Sequence, residues 1–139
     1  MPLFGMITFA TEYSMQPAQL ARAIEERELD AFYVSEHTHI PTSKKSKYPR
    51  GTDYHKDFYY AYHPIVALTA APGVARRIRL GTFINLMAQR DPLVTAKLPR
   101  SIASRAAGWA SDAGPAGTRK RWATMVFRSH AGGPRFAST

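Results

Sequence analysis

The amino-acid sequence predicts an α/β protein with parallel strands, and three observations carry that prediction. Short apolar runs alternate with amphipathic segments over the first 97 residues in the order β-α-β-loop-α-β-α, an alternation that implies parallel strands joined by right-handed crossovers. The run Ala31-Phe32-Tyr33-Val34 is apolar, aromatic and β-branched, as suits a fully buried strand. It then breaks into Ser35-Glu36-His37-Thr38-His39-Ile40-Pro41, delivering an acid and two imidazoles at a strand's C-terminal end. In parallel α/β folds that edge is where ligands bind.

Each element has its own signal. Residues 3–8 form a compact apolar run and a first strand, with Gly5 allowing close approach of a neighbouring backbone. Ser14 is placed to cap a helix in which Leu20, Ala23, Ile24 and Arg27 share one face, with Glu25, Glu26 and Glu28 outside it. The second strand covers residues 31–35. From 38 to 62 the chain is polar and aromatic without clear periodicity, and a loop of that length is usually functional or mobile. His63-Pro64 opens a second helix with Ile65, Leu68 and Thr69 as its inner stripe, and Pro72-Gly73 should end or kink it. Residues 79–84 are the third strand, 85–90 its outgoing loop, and Asp91-Pro92 starts a third helix with an acid cap followed by proline.

Composition narrows the function classes. A chain of 139 residues suffices for one modest domain if its whole length takes part. The absence of cysteine excludes disulfides, thiolate metal sites and cysteine nucleophiles. The N-terminus lacks a signal peptide's basic start and long apolar core, and no apolar run is long enough to span a bilayer, so the expected location is cytoplasmic with no membrane partner. The formal charge of +9 is unevenly spread: residues 1–97 hold 12 Lys+Arg against 9 Asp+Glu, and residues 98–139 hold 7 against 1.

With Val34-Ser35-Glu36-His37-Thr38-His39-Ile40-Pro41, then Arg77-Ile78-Arg79-Leu80-Gly81-Thr82, then Gln89-Arg90-Asp91-Pro92-Leu93-Val94-Thr95-Ala96-Lys97, the first 97 residues resemble the luciferase-like monooxygenase superfamily. The closest match is its deazaflavin (coenzyme F420) oxidoreductase branch. The resemblance implies a (β/α)8 TIM barrel, here incomplete because such a barrel takes about 250 residues. It also implies F420, or alternatively FMN, held at the C-terminal ends of the strands, with a small-molecule substrate and a homodimer for a full-length relative. Ser35, Glu36 and His37 would line that mouth from the second strand, and Gly81, Thr82, Phe83 and Asn85 from the third. A non-proline cis peptide is implied within residues 82–85.

After Lys97 the composition turns to Ala, Arg, Gly and Ser without periodicity, so residues 98–139 read as a basic tail, disordered or arbitrarily packed. The residues from Arg100 to Gly108 are compatible with the codons CGA TCG ATC GCC TCT CGG GCG GCC GGG. Read from each third base, they give Ile-Asp-Arg-Leu-Ser-Gly-Gly-Arg, the turn with which the family continues. The stretch from Ala116 to Val126 can likewise be written with codons that give a family-like segment at the same shift. The tail therefore reads as a frameshifted translation, from which little or no coenzyme binding by this chain is expected.

The site residues carry two readings each. His37 is a proton donor or ring contact, since imidazole serves as acid or base near neutral pH, or else a hydrogen-bonded loop histidine. Glu36 orients His37 or meets a ring edge, or caps a neighbouring backbone. Asn85, Gln89 and Arg90 touch substrate or coenzyme, or belong to a solvated loop. The Lys44, Lys45, Lys47 and Arg50 cluster attracts an anionic coenzyme tail or is simply solvated. No carboxylate or cysteine repeats at ligand spacing around His37, His39, His55 and His63, so no metal is expected. No phosphate-cradling glycine loop precedes a helix, and no Ser-His-Asp set can be assembled. Beside the oxidoreductase stand two other readings, an inert gene fragment and a non-enzymatic basic module that binds RNA or DNA through the tail and the lysine loop. Only a sequence preference would support the latter, since salt-sensitive binding is expected of any segment so basic.

Overall fold

A computed structural model of the chain describes residues 3–40, 54–103, 108–113 and 123–127. Over these residues it is a mixed α/β protein whose strands join in one sheet in chain order. The elements are β1 (Gly5–Thr8), α1 (Pro17–Glu26), β2 (Ala31–Val34), α2 (Asp57–Tyr60), α3 (Pro64–Thr69), β3 (Arg79–Asn85), α4 (Pro92–Ala103), β4 (Trp109–Ala113) and β5 (Ala123–Phe127). Strands β1 to β4 run parallel, and β5 returns antiparallel on β4.

Register explains the core. Met6, Phe32 and Leu80 are aligned across β1, β2 and β3, as are Thr8, Val34 and Thr82, and side chains alternate between sheet faces. Phe32, Val34 and Leu80 join Ala21 and Ile24 of α1, Ile65 and Leu68 of α3, and Ile102 of α4 in one buried cluster. The three helices therefore lie on the same side of the sheet. The alternate set, Ile7, Tyr33 and Phe83, faces the other side, where Ile7 is 49% and Phe83 40% exposed.

Several sequence expectations hold. A Cβ on Gly5 would stand 3.0 Å from the Ala31 Cβ and 3.1 Å from its carbonyl oxygen, so glycine permits the β1–β2 approach. Pro64 sits in the first turn of α3, a 3-10 turn over Ala71–Gly73 follows that helix, and Asp91 caps α4 by accepting the Val94 N–H at 2.8 Å.

Others need correction. Gln16, not Ser14, precedes α1, and it makes no side-chain cap. Proline at the first helical position removes one donor that a cap would have served, while the Ser14 hydroxyl bonds back to Thr11. The buried face of α1 is Pro17, Ala21 and Ile24, with Arg27 in solvent. In α3, Ala67 joins Ile65 and Leu68 inside and Thr69 is exposed, its hydroxyl bonding the Val66 carbonyl at 2.6 Å. The strand expected over 31–35 ends at Val34, and β3 runs on to Asn85. The long loop contains α2 and an isolated bridge from Thr11 to Ala61. Lys44, Lys45, Lys47, Tyr48 and Arg50 lie outside the described residues.

Lys97, where the family resemblance ends in mid-helix, lies within α4, which continues to Ala103 and buries Ile102. Two strands then lie in the segment expected to be disordered or arbitrarily packed. Sheet pairing is made by backbone donors and acceptors that every non-proline residue carries, so β4 can add to β3 without an apolar pattern. The β5 run Ala-Thr-Met-Val-Phe does have β-branched and aromatic character, hidden when the tail is averaged as a whole. Among the described residues, no helix is long and apolar enough to cross a membrane.

Candidate functional site

A cleft of about 500 Å³ opens where the chain leaves the C-terminal ends of β1, β2 and β3. Phe9 enters it from β1, residues 35–39 from β2, and Phe83, Ile84, Leu86 and Gln89 from β3 and its loop, while Phe58 of α2 closes the outer side. The backbone at the end of β3 is irregular: a bulge interrupts its pairing with β4 between Phe83 and Asn85, and the Phe83–Ile84 peptide is cis. That bond lies within residues 82–85, where the family resemblance implied one.

Aromatic contacts build the outer wall. The His37 imidazole stacks on Phe58 with centroids 4.6 Å apart and planes 12° from parallel, and Phe9 meets Phe58 edge-on at 5.0 Å. Burial, with a smaller contribution from the nearby His39, pulls His37 below the ordinary imidazole range and favours its neutral form. Its Nδ1 is buried with no hydrogen-bond partner among the described residues. Across the cleft mouth Thr38 donates to Gln89 Oε1 at 2.8 Å and meets His39 Nδ1 at 2.9 Å.

Glu36 behaves differently from its neighbour. Its side chain is 1% exposed, and both oxygens are engaged: Oε2 accepts the Leu86 N–H at 2.7 Å and Oε1 accepts from Arg90 Nη2. Arg90 in turn meets His63 Nε2 through Nη1 at 2.9 Å. Partial burial and then the adjacent guanidinium pull His63 below the ordinary range, with Glu36 opposing them. The backbone-capping reading of Glu36 is the arrangement found.

The structure thus brings Ser35, Glu36, His37 and Phe83 to the cleft but not the other three residues expected there. Gly81 is inside β3, in register with Tyr33 and Ala110, and Thr82 is fully buried in register with Val34. Both lie upstream of the strand's end, so neither lines the opening. Asn85 is 4% exposed, and its Oδ1 has no partner among the described residues, but it does not line the cleft. Gln89 is in the wall, whereas Arg90 is drawn behind it by Glu36. Phe9, Phe58, Ile84 and Leu86 were not singled out from the sequence; only the phenylalanine in the aperiodic Asp57-Phe58-Tyr59-Tyr60 run hinted at a packed aromatic. No group of three or more His, Asp or Glu side chains gathers at metal-binding distance among the described residues.

No protein-family model matches this chain. An uncharacterized protein of Mycobacterium bovis is 37% identical to it over 97 residues, covering 68% of this chain and 34% of the relative. Uncharacterized proteins from two strains of Mycobacterium tuberculosis match over the same length at the same identity. The chain therefore spans about a third of the length of the curated relatives it matches.

Proposed function

We propose that the cleft is the ring-holding part of a luciferase-like oxidoreductase site, taking a reduced deazaflavin (F420) or, alternatively, FMN beside a small-molecule substrate. In this reading β1 to β4, parallel and in sequential order with their helices on one side, are the first arc of an eight-stranded barrel. The observation that carries the reading is the aromatic wall at the strands' C-terminal edge, with a stacked imidazole whose Nδ1 is buried and unpartnered. A planar heteroaromatic ring fits such a donor set, because it offers a face for Phe9, Phe58 and Phe83 and edge atoms for a hydrogen bond.

When bound, the ring supplies the hydride or oxygen chemistry. The chain's own residues have three tasks: Phe58 and Phe83 exclude water, Gln89 and Thr38 border the mouth, and neutral His37 accepts or donates a proton near neutral pH. Glu36 keeps the wall in place without touching a ligand.

The matched stretch is only about a third of the relatives' length, so this chain is expected to supply part of the contacts and binding by the 139-residue protein should be weak. Fluorescence titration with F420 and with FMN is expected to give saturable quenching with a Kd of about 100 μM or higher, weakened further by His37→Ala. Saturable quenching indifferent to His37→Ala removes the reading; tight stoichiometric binding removes the claim of incompleteness.

A second reading, an inert gene fragment, is supported by the compatibility of the residues after 97 with a shifted reading frame and by the charge step there. The stretch matched in the mycobacterial relatives is also 97 residues long. Resequencing the gene across the codons for residues 96–101 tests it, and codons incompatible with the shifted reading would refute it.

A further inference from the structure

Arg90 follows directly on the cleft-lining Gln89, yet its side chain is only 14% exposed and joins parts of the chain that are far apart in sequence. One guanidinium nitrogen meets Glu36 beyond β2, and another meets His63 at the start of α3. Glu36 in turn holds the Leu86 N–H. Residues 86–89, which carry Leu86 and Gln89 on the cleft wall, are therefore pinned at both ends by one buried carboxylate, directly at Leu86 and through Arg90 at the other end.

Arginine has only donors to offer, so His63 Nε2 must accept, and the imidazole must be neutral with its proton on Nδ1. We propose that Arg90 is a positioning residue for the cleft, and that its hold on residues 86–89 depends on His63 remaining neutral.

Among the described residues, the charged groups acting on His63 are Arg90 from the loop after β3 and Glu36 from the exit of β2. His63 itself is exposed enough to exchange protons with water. Protonation turns Nε2 from acceptor to donor and sets two cations in contact. The direction follows: the pin is whole above the ordinary imidazole range and loosens as pH falls through the lowered His63 value. The inference rests on the ring-site reading only in taking the cleft to be a binding site; the pin is a property of the ligand-free chain.

Amide hydrogen exchange on the full 139-residue protein tests it without any ligand, so the outcome is independent of whether a flavin or deazaflavin binds. The Leu86 protection factor, corrected for intrinsic rate at each pH, should fall about tenfold between about pH 8 and about pH 5, while that of Phe32 stays level. His63→Gln keeps an amide acceptor but does not titrate, and should make Leu86 protection independent of pH. Arg90→Gln should lower it at every pH, and Arg90→Lys, which reaches Glu36 with one ammonium, should restore part of it. A pH-independent Leu86 in the unaltered protein, or an undiminished pH dependence in His63→Gln, overturns the proposal. If Arg90→Gln does not fold, the His63→Gln comparison still decides.

Discussion

The two ends of β3 are held by the same device in two different settings. At the entrance, Glu25 on α1 accepts the backbone N–H of Arg76 at 2.8 Å and that of Arg77; at the exit, Glu36 accepts the N–H of Leu86 at 2.7 Å. Each carboxylate reaches about fifty residues along the chain. Glu25 is 18% exposed and its ion pair is with Arg77, itself 72% exposed, so water shares the charge. Glu36 is 1% exposed, and a carboxylate removed from water is tolerated only when paired and fully hydrogen-bonded. Burial is therefore the reason the exit needs Arg90, and Arg90 needs His63. The entrance is a local clasp; the exit is a chain of partners that shapes the cleft.

The largest expected effect breaks the exit alone. Glu36→Ala leaves Arg90 buried without its counter-charge and should destabilise the fold by about 3–5 kcal/mol, read from urea unfolding. Glu25→Ala loses charge-assisted bonds that water can partly replace, and should cost about 1.5–3 kcal/mol. Equal costs would mean that burial does not separate the two ends. Replacing both partners, Glu36→Leu with Arg90→Met, should recover most of the loss while leaving the cleft wall without its pin, since apolar substitution of a whole buried pair is often neutral.

A smaller effect belongs to the aromatic wall that the exit supports. Phe58→Ala removes the stacking partner of His37 and should lower stability by about 1 kcal/mol. The more informative readout is the imidazole itself: with less burial its titration midpoint, followed by NMR, should rise toward the ordinary histidine range. An unchanged midpoint would show that Phe58 contributes nothing to the His37 environment.

These contrasts also show what the sequence could reveal. The strand and helix order was legible because β2 is apolar throughout, Ala31-Phe32-Tyr33-Val34, and β3 carries Leu80, Phe83 and Ile84, and because Pro64 and the Asp91-Pro92 pair mark helix starts that local chemistry dictates. Glu36 and His37 were legible as a pair leaving a strand together, but not their different fates, which depend on Arg90 and Phe58 arriving from elsewhere in the chain. Gly81 and Thr82 were placed at the mouth by resemblance alone, whereas their register with Tyr33 and Val34 sets them within β3, short of its C-terminal end. The α2 turn was illegible for a different reason: it is one turn long, and it is held by contacts of Tyr13 and Phe9 with Asp57 and Phe58 rather than by a periodic pattern of its own.

The smallest expected effect is a pH dependence confined to the entrance. Burial alone would raise Glu25, but the backbone N–H groups of Arg77 and Arg76 outweigh it and hold the carboxyl below its ordinary range. A carboxyl depressed in the folded state stabilises the fold fully above its unfolded value, and that contribution is lost as pH falls through the lower, folded value. Unfolding midpoints measured from neutral pH down into the acid range should therefore drop more steeply for the unaltered protein than for Glu25→Gln, whose amide oxygen still accepts but does not titrate. The two curves should differ most at neutral pH and converge in acid. Parallel curves would mean that the N–H groups of Arg76 and Arg77 do not distinguish a charged acceptor from a neutral one, and the entrance would then be held by geometry rather than by charge.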